Sequence, residues 1–247
     1  MRAYARSFGL VMLISTAPVL QAGDGDLVFI DVYGGYVWPS NEDITYNSAI
    51  GGARGQFEMN DVGIEDEAGF GGRVGFWLRS HPSFGLAIDT TRFGADVDTQ
   101  TVNGTFSSPA VGTGTLPVQA ASELRVDNTF VTFDLLYRRP WGPWTPYVTG
   151  GVGIAISNID EDFFSLTRSE NTATPVAFKG GAGVSYTMSD SMEVFGEYRY
   201  MHAAPEYDIK AGVDPATTGT PNQVFGPTTL EKDINIHGLF GGISIRF

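Results

Sequence analysis

The stretch that decides the fold closes the chain: Asp233-Ile234-Asn235-Ile236-His237-Gly238-Leu239-Phe240-Gly241-Gly242-Ile243-Ser244-Ile245-Arg246-Phe247. Counted back from Phe247, one face of an extended strand carries Phe247, Ile245, Ile243, Gly241, Leu239 and His237. The other carries Arg246, Ser244, Gly242, Phe240, Gly238 and Ile236. A long strand that is apolar on one side, small or polar on the other, and ends in an aromatic suits a wall between lipid and a polar interior. Chain ends fray unless they are tied into a sheet, so this ending asks for partner strands of the same kind.

Working outward, the same period of two recurs. At the amino end Val28, Ile30, Val32, Gly34, Tyr36 and Trp38 alternate with Leu27, Phe29, Asp31, Tyr33, Gly35 and Val37, up to Pro39. A second strand sets Phe70, Gly72, Val74, Phe76 and Leu78 against Gly71, Arg73, Gly75, Trp77 and Arg79. After the His81-Pro82-Ser83 turn, Phe84, Leu86 and Ile88 oppose Gly85, Ala87 and Asp89. A fourth strand opposes Val131, Phe133, Leu135 and Tyr137 to Asn128, Phe130, Thr132, Asp134 and Arg138. Beyond Pro140-Trp141-Gly142-Pro143 a fifth places Val148, Gly150, Val152, Ile154 and Ile156 opposite Tyr147, Thr149, Gly151 and Gly153. Pro146 stands near its entrance, where a missing donor is tolerated. The sixth runs Val176, Phe178, Gly180, Ala182, Val184 and Tyr186 against Ala177, Lys179, Gly181, Gly183 and Ser185. The seventh, after Ser189-Asp190-Ser191, runs Val194, Gly196, Tyr198 and Tyr200 against Glu193, Phe195, Glu197, Arg199 and Met201.

The connections alternate between long and short. Residues 39–67 and 204–232 are long and polar, and so are the stretches before Arg125 and around Glu161. Long structureless loops argue against a compact soluble domain. Outer-membrane barrels have this alternation, with short periplasmic turns and long extracellular loops. The expectation is all-β: an eight-stranded antiparallel up-and-down transmembrane β-barrel with long extracellular loops. A soluble sandwich or lipocalin-like barrel shows similar alternation, so the period alone does not choose between them.

The amino end supplies the second argument. Arg2 and Arg6 precede an apolar run from Phe8 to Leu20, and Leu20-Gln21-Ala22 offers a small-residue exit. The run is shorter than the roughly 20 apolar residues of a spanning helix. The expected division is therefore a signal peptide over residues 1–22 and a barrel domain over residues 23–247. A formal charge of -13 argues against nucleic acid as a partner, because phosphate binding needs clustered cations. The absence of cysteine excludes disulfides and thiolate metal sites.

Parity turns Arg73, Asp89, Asp134, Lys179, Glu197 and Arg199 inward. Eight strands leave a lumen that side chains just fill, and unpaired charges there are costly. A salt-bridged plug is expected, with Glu197 and Arg199 meeting opposite charges on neighbouring strands; a narrow ion path is the alternative. Phe84, Tyr137, Trp141, Trp144, Tyr186 and Phe247 read as an inner aromatic girdle, and Tyr36, Trp38 and Tyr200 as an outer one. Of the three histidines, His81 falls in a turn, while His202 and His237 point to lipid near the outer rim on adjacent strands. A hydrolase using one as base would need a serine on the same face, and neither has one. Asp160-Glu161-Asp162 lacks the ligand spacing of a calcium loop, and Gly151-Val152-Gly153 lies within a strand and opens no phosphate-binding helix. No catalytic residue, cofactor or metal is expected.

Phe195-Gly196-Glu197-Tyr198-Arg199-Tyr200, the Gly-rich strands and the ending Gly238 to Phe247 resemble the OmpA-type small outer-membrane β-barrel family, including the opacity-like surface proteins. The resemblance implies inward, paired roles for Glu197 and Arg199. It also implies recognition of terminal Phe247 by the barrel-assembly machinery, and location in the bacterial outer membrane. Longer members carry a periplasmic domain that is not expected here. Three roles are then open: a structural or surface-interaction protein meeting an extracellular or host ligand through acidic loops, a narrow channel, or an enzyme acting on outer-membrane lipid.

Overall fold

Strict alternation gives each strand two chemically different faces, and a sheet made of such strands can enclose one of them by closing on itself. The computed structural model of the chain describes residues 27–40, 42–50, 53–63, 65–94, 100–108, 112–120, 125–160, 171–209 and 228–247. The expected signal peptide, and Glu161 and Asp162 of the acidic run, lie outside the described residues.

The first strands are β1 (Leu27–Pro39), β2 (Glu42–Ile50), β3 (Ala53–Val62), β4 (Glu67–Trp77) and β5 (Phe84–Gly94). Next come β6 (Gln100–Ser108), β7 (Gly112–Ala120), β8 (Arg125–Arg138), β9 (Trp144–Asp160) and β10 (Asn171–Ala173). The last are β11 (Val176–Ser189), β12 (Met192–Ala203), β13 (Glu206–Ile209), β14 (Thr228–Lys232) and β15 (Ile234–Arg246). Eight of them, in the order β1-β4-β5-β8-β9-β11-β12-β15, form a ring that closes where β15 pairs antiparallel with β1. Phe29 to Pro39 run opposite Arg246 to Ile236, so the stretch quoted at the outset seals the barrel.

Burial is inverted relative to a soluble barrel. Val32 is 67% exposed and Ile88 59%, whereas Asp134 and Arg199 are fully buried. Val74, Phe133, Leu135, Val148, Val152, Phe178, Leu239 and Ile243 share the exposed belt. A continuous apolar surface of this extent is far beyond what water-soluble monomers expose. Lipid is the solvent that accepts it, and this removes the soluble alternative that the alternation left open.

The short turns are tight. Phe84 N–H donates to His81 O at 2.8 Å, and Trp141 N–H donates to Trp144 O at 2.6 Å around Gly142, whose φ is +60°. The long connections depart from the expected structureless loops. Strands from three of them assemble into a second, six-stranded antiparallel sheet in the order β13-β14-β2-β3-β6-β7. The physical reason is that long excursions carry backbone donors and acceptors that need partners. Ile50 pairs with Ala53, which makes β2 and β3 an antiparallel hairpin within the first long connection.

Candidate functional site: the barrel lumen

Every inward charge singled out by parity lies in one buried cluster at the middle of the barrel. Arg73 on β4 donates from Nε to Asp89 Oδ2 at 2.9 Å and from Nη2 to both oxygens of Glu197 at 3.0 and 2.7 Å. Its Nη1 lies 3.7 Å from Asp31 Oδ2. Arg199 on β12 donates from Nε to Glu197 Oε1 at 2.6 Å, and its Nη1 sits 3.4 Å from Asp89 Oδ2. Lys179 on β11 places Nζ 2.5 Å from Asp134 Oδ2 and 3.1 Å from Asp89 Oδ2. Asp89 on β5 is the hub, touched by all three cations and by the hydroxyl of Tyr33 at 2.6 Å.

The pairing geometry differs from the expectation. Glu197 and Arg199 pair with each other along β12, and their further partners lie across the lumen, not on neighbouring strands. The inward neighbours of Glu197 are Gly183 on β11 and Phe240 on β15, and those of Arg199 are Gly181 and Gly238. None of these carries charge, so both side chains extend across the bore to Arg73 and Asp89. A Cβ at Gly183 would come 2.7 Å from the Tyr147 ring. The absent side chain is thus what admits Tyr147, whose hydroxyl donates to Glu197 Oε2 at 2.7 Å.

Several members were not singled out from sequence. Asp31, Tyr33, Thr91, Thr132 and Tyr147 belong to the network, through contacts to Arg73, Asp89, Asp134 and Glu197. Asp31, Tyr33, Thr132 and Tyr147 already stood on the inward face by parity; what parity does not show is how far a hydroxyl reaches across the bore. The Arg199 guanidinium also stacks 4.0 Å from the Tyr33 ring centroid and 4.8 Å from that of Phe240.

The lumen is layered along its axis. On the side of the long connections, Val37, Phe93, Phe130, Ala155, Met201, Ile236 and Phe240 form a buried apolar cluster above the charges. On the side of the short turns a cavity of about 30 Å³, room for two or three waters, is bounded by Asp31, Arg73, Trp77, Arg138, Glu193 and Arg246 among others. There Glu193 pairs with Arg246 and accepts from Thr187 Oγ1 at 2.9 Å. The Arg138 guanidinium lies 3.8 Å over Trp77.

Outside the lumen, Phe84 packs on Tyr137 and Trp144 on Tyr186, with ring centroids 5.1 and 4.8 Å apart, at the short-turn end. Phe247 is exposed at the same end, at the seam of β15 and β1, where its N–H donates to Val28 O at 2.9 Å. His202 and His237 lie on adjacent β12 and β15 and bond to Asn235 and Tyr198, not to a serine.

Among solved structures, the chain is similar to the outer membrane protein OprG from Pseudomonas aeruginosa at 16% identity and a TM-score of 0.49, covering 89% of this chain and 95% of that one. It is similar to Neisserial surface protein A at 11% identity and a TM-score of 0.47, covering 89% and 97%. It is also similar to Ail, the attachment invasion locus protein of Yersinia pestis, solved with the heparin analogue sucrose octasulfate, at 11% identity and 0.42, covering 90% and 99%. A comparison with curated protein sequences finds no match. The sequence model of the outer membrane protein beta-barrel domain matches residues 15–220, the larger part of a chain whose strands close into an eight-membered antiparallel ring, and the chain belongs to that family.

Proposed function

We propose that the chain is a sealed barrel of the bacterial outer membrane whose work is done at the cell surface, where its acidic extracellular hairpins meet partners outside the cell. One observation carries this reading: the bore is filled by an ion-paired network capped with apolar side chains, while three long connections join in one sheet beyond it. A conducting path would have to pass Phe93, Phe130, Met201, Ile236 and Phe240, whose apolar surfaces offer nothing to replace an ion's water. The sequence of β2 and β3 holds four acids, Glu42, Asp43, Glu58 and Asp61, against one base, Arg54, and such a balance favours partners with basic surfaces. The role is structural and adhesive, without catalysis. Residues 1–22 act as the export signal, and the β15 strand with Phe247 engages the assembly machinery.

The test has two arms on the refolded full chain. In a planar bilayer it gives no steady openings; sustained conductance would replace this reading with the channel. Excising residues 42–62 abolishes adhesion to host cells while the barrel still shows heat-modifiable migration; undiminished adhesion would remove the surface role.

A further inference from the structure

The outer side of the barrel is uneven. Across β1, β15 and β12, register places Tyr36 beside Leu239 and Leu239 beside Tyr198. The next row toward the hairpins is Trp38, His237 and Tyr200, and beyond it Asn235 faces His202. Outward positions toward the same end of the other wall strands hold Ala68, Arg92, Thr129, Ile156 and Val176. An interfacial aromatic belt serves anchoring at any point of the circumference. Here the polar-tipped rings gather on three adjacent strands.

They are also locked together by directional bonds. Trp38 stacks on His237 with centroids 6.4 Å apart and planes 13° from parallel, and Tyr200 lies 5.2 Å from the same ring. The Tyr198 hydroxyl lies in hydrogen-bond contact with His237 Nδ1 at 2.6 Å, so the bond engages Nδ1 and the ring's other nitrogen is Nε2. Asn235 Oδ1 accepts from Tyr200 at 2.6 Å and from His202 Nδ1 at 2.9 Å, which leaves His202 Nε2 as an acceptor. Tyr36 donates to the exposed carboxylate of Asp66 at 2.8 Å. The outward faces of β1, β12 and β15 carry no Lys or Arg.

Flat rings, a carboxylate, and amide, hydroxyl and imidazole edges without Lys or Arg suit hydroxyl-rich rings and disfavour phosphate. We infer that the Trp38–His237–Tyr200 cluster, with Tyr36, Asp66 and Asn235, is a binding site for the sugar headgroup of an outer-leaflet glycolipid. Aromatic faces stack on the C–H face of the sugar, while the imidazole edges and Asp66 take its hydroxyls. Just inward, Gly34, Gly241 and Gly196 stand side by side, where added Cβ atoms would meet no heavy atom within 3.4 Å. The acyl chains of the same lipid can lie over that shallow row. The inference uses the orientation of the proposed function, with the hairpin sheet outside the cell.

The test offers three lipids to the refolded barrel in detergent and counts the molecules retained by native mass spectrometry. They are rough-type lipopolysaccharide, monoglucosyl diacylglycerol (sugar without phosphate) and phosphatidylglycerol (phosphate without sugar). The first two are retained and the third is not. Trp38→Ala and His237→Phe, both still heat-modifiable, weaken retention of the two sugar lipids by about tenfold or more; Trp141→Ala at the opposite rim leaves it unchanged. Equal retention of all three lipids, or an equal loss in Trp141→Ala, overturns the site and leaves the surface role standing. Protease cleavage of the hairpin sheet on intact cells checks the orientation separately, and its failure would overturn both.

Discussion

Asp89 collects Arg73, Arg199, Lys179 and Tyr33 within 3.5 Å, and Glu197 collects Arg73, Arg199 and Tyr147. At such depth the value of one carboxylate is set less by attraction than by what its loss leaves behind. Removing Glu197 strands two guanidiniums with fewer acids in a low-dielectric bore. Glu197→Ala is therefore expected to cost about 3–5 kcal/mol, read from the urea midpoint in lipid vesicles. Arg92 and Asp127 form an exposed pair at 3.5 Å, and Arg92→Ala should cost at most about 1 kcal/mol in the same assay. Parity read from the sequence turned Arg73, Asp89, Asp134, Lys179, Glu197 and Arg199 inward. It could not name the cross-strand partners of Glu197 and Arg199, because the neighbouring inward positions are glycines and Phe240, and Arg73 and Asp89 meet them from across the bore; Arg73 and Asp89 themselves stand directly opposite each other on β4 and β5.

At the scale of the element, glycines on the two faces of one strand have different reasons. A Cβ on inward Gly75 would come 2.5 Å from Leu86 O and 2.6 Å from the Phe29 ring, while outward Gly150 has nothing within 4 Å. Gly75→Ala should lower stability by about 1–3 kcal/mol through overpacking. Gly150→Ala should be neutral or stabilising by a few tenths to about 1 kcal/mol, since it restricts only the unfolded chain. Unfolding of the two variants side by side checks the sign. The eight wall strands were legible because each alternates over most of its length. The strands of the second sheet were not, although Gly51-Gly52 between Ile50 and Ala53 was a hairpin signal in plain view. Their alternation is weak, and beyond the local β2–β3 hairpin their other partners, β14 and β6, are far away in the chain.

For the whole molecule, the decisive quantity is the solvent each face meets. Ile88 stands near the middle of β5, outward and 59% exposed. If that face meets hydrocarbon, Ile88→Arg should cost about 2–4 kcal/mol in a bilayer; in a water-facing setting the same change would cost almost nothing. The apolar cap predicts a second behaviour. Replacing Phe93, Phe130 and Phe240 together with Ala should turn a silent barrel into one with small conductance steps, provided the triple variant still migrates as a folded barrel. Wild-type and triple variant in one bilayer experiment give the comparison.

Period-two alternation, the long and short connections and the closing strand belong to the sequence itself, since a strand's two faces are set by which residues neighbour which. They were enough for the barrel, for its strand order and for the side on which each charge lies. The layering of the bore, the cross-lumen pairs, the knitting of three loops into a sheet and the gathering of His237 with Trp38, Tyr198 and Tyr200 came only with the tertiary structure. Each depends on the height at which one strand stands against the next, and across a long connection that register follows from closure of the ring, not from any local pattern.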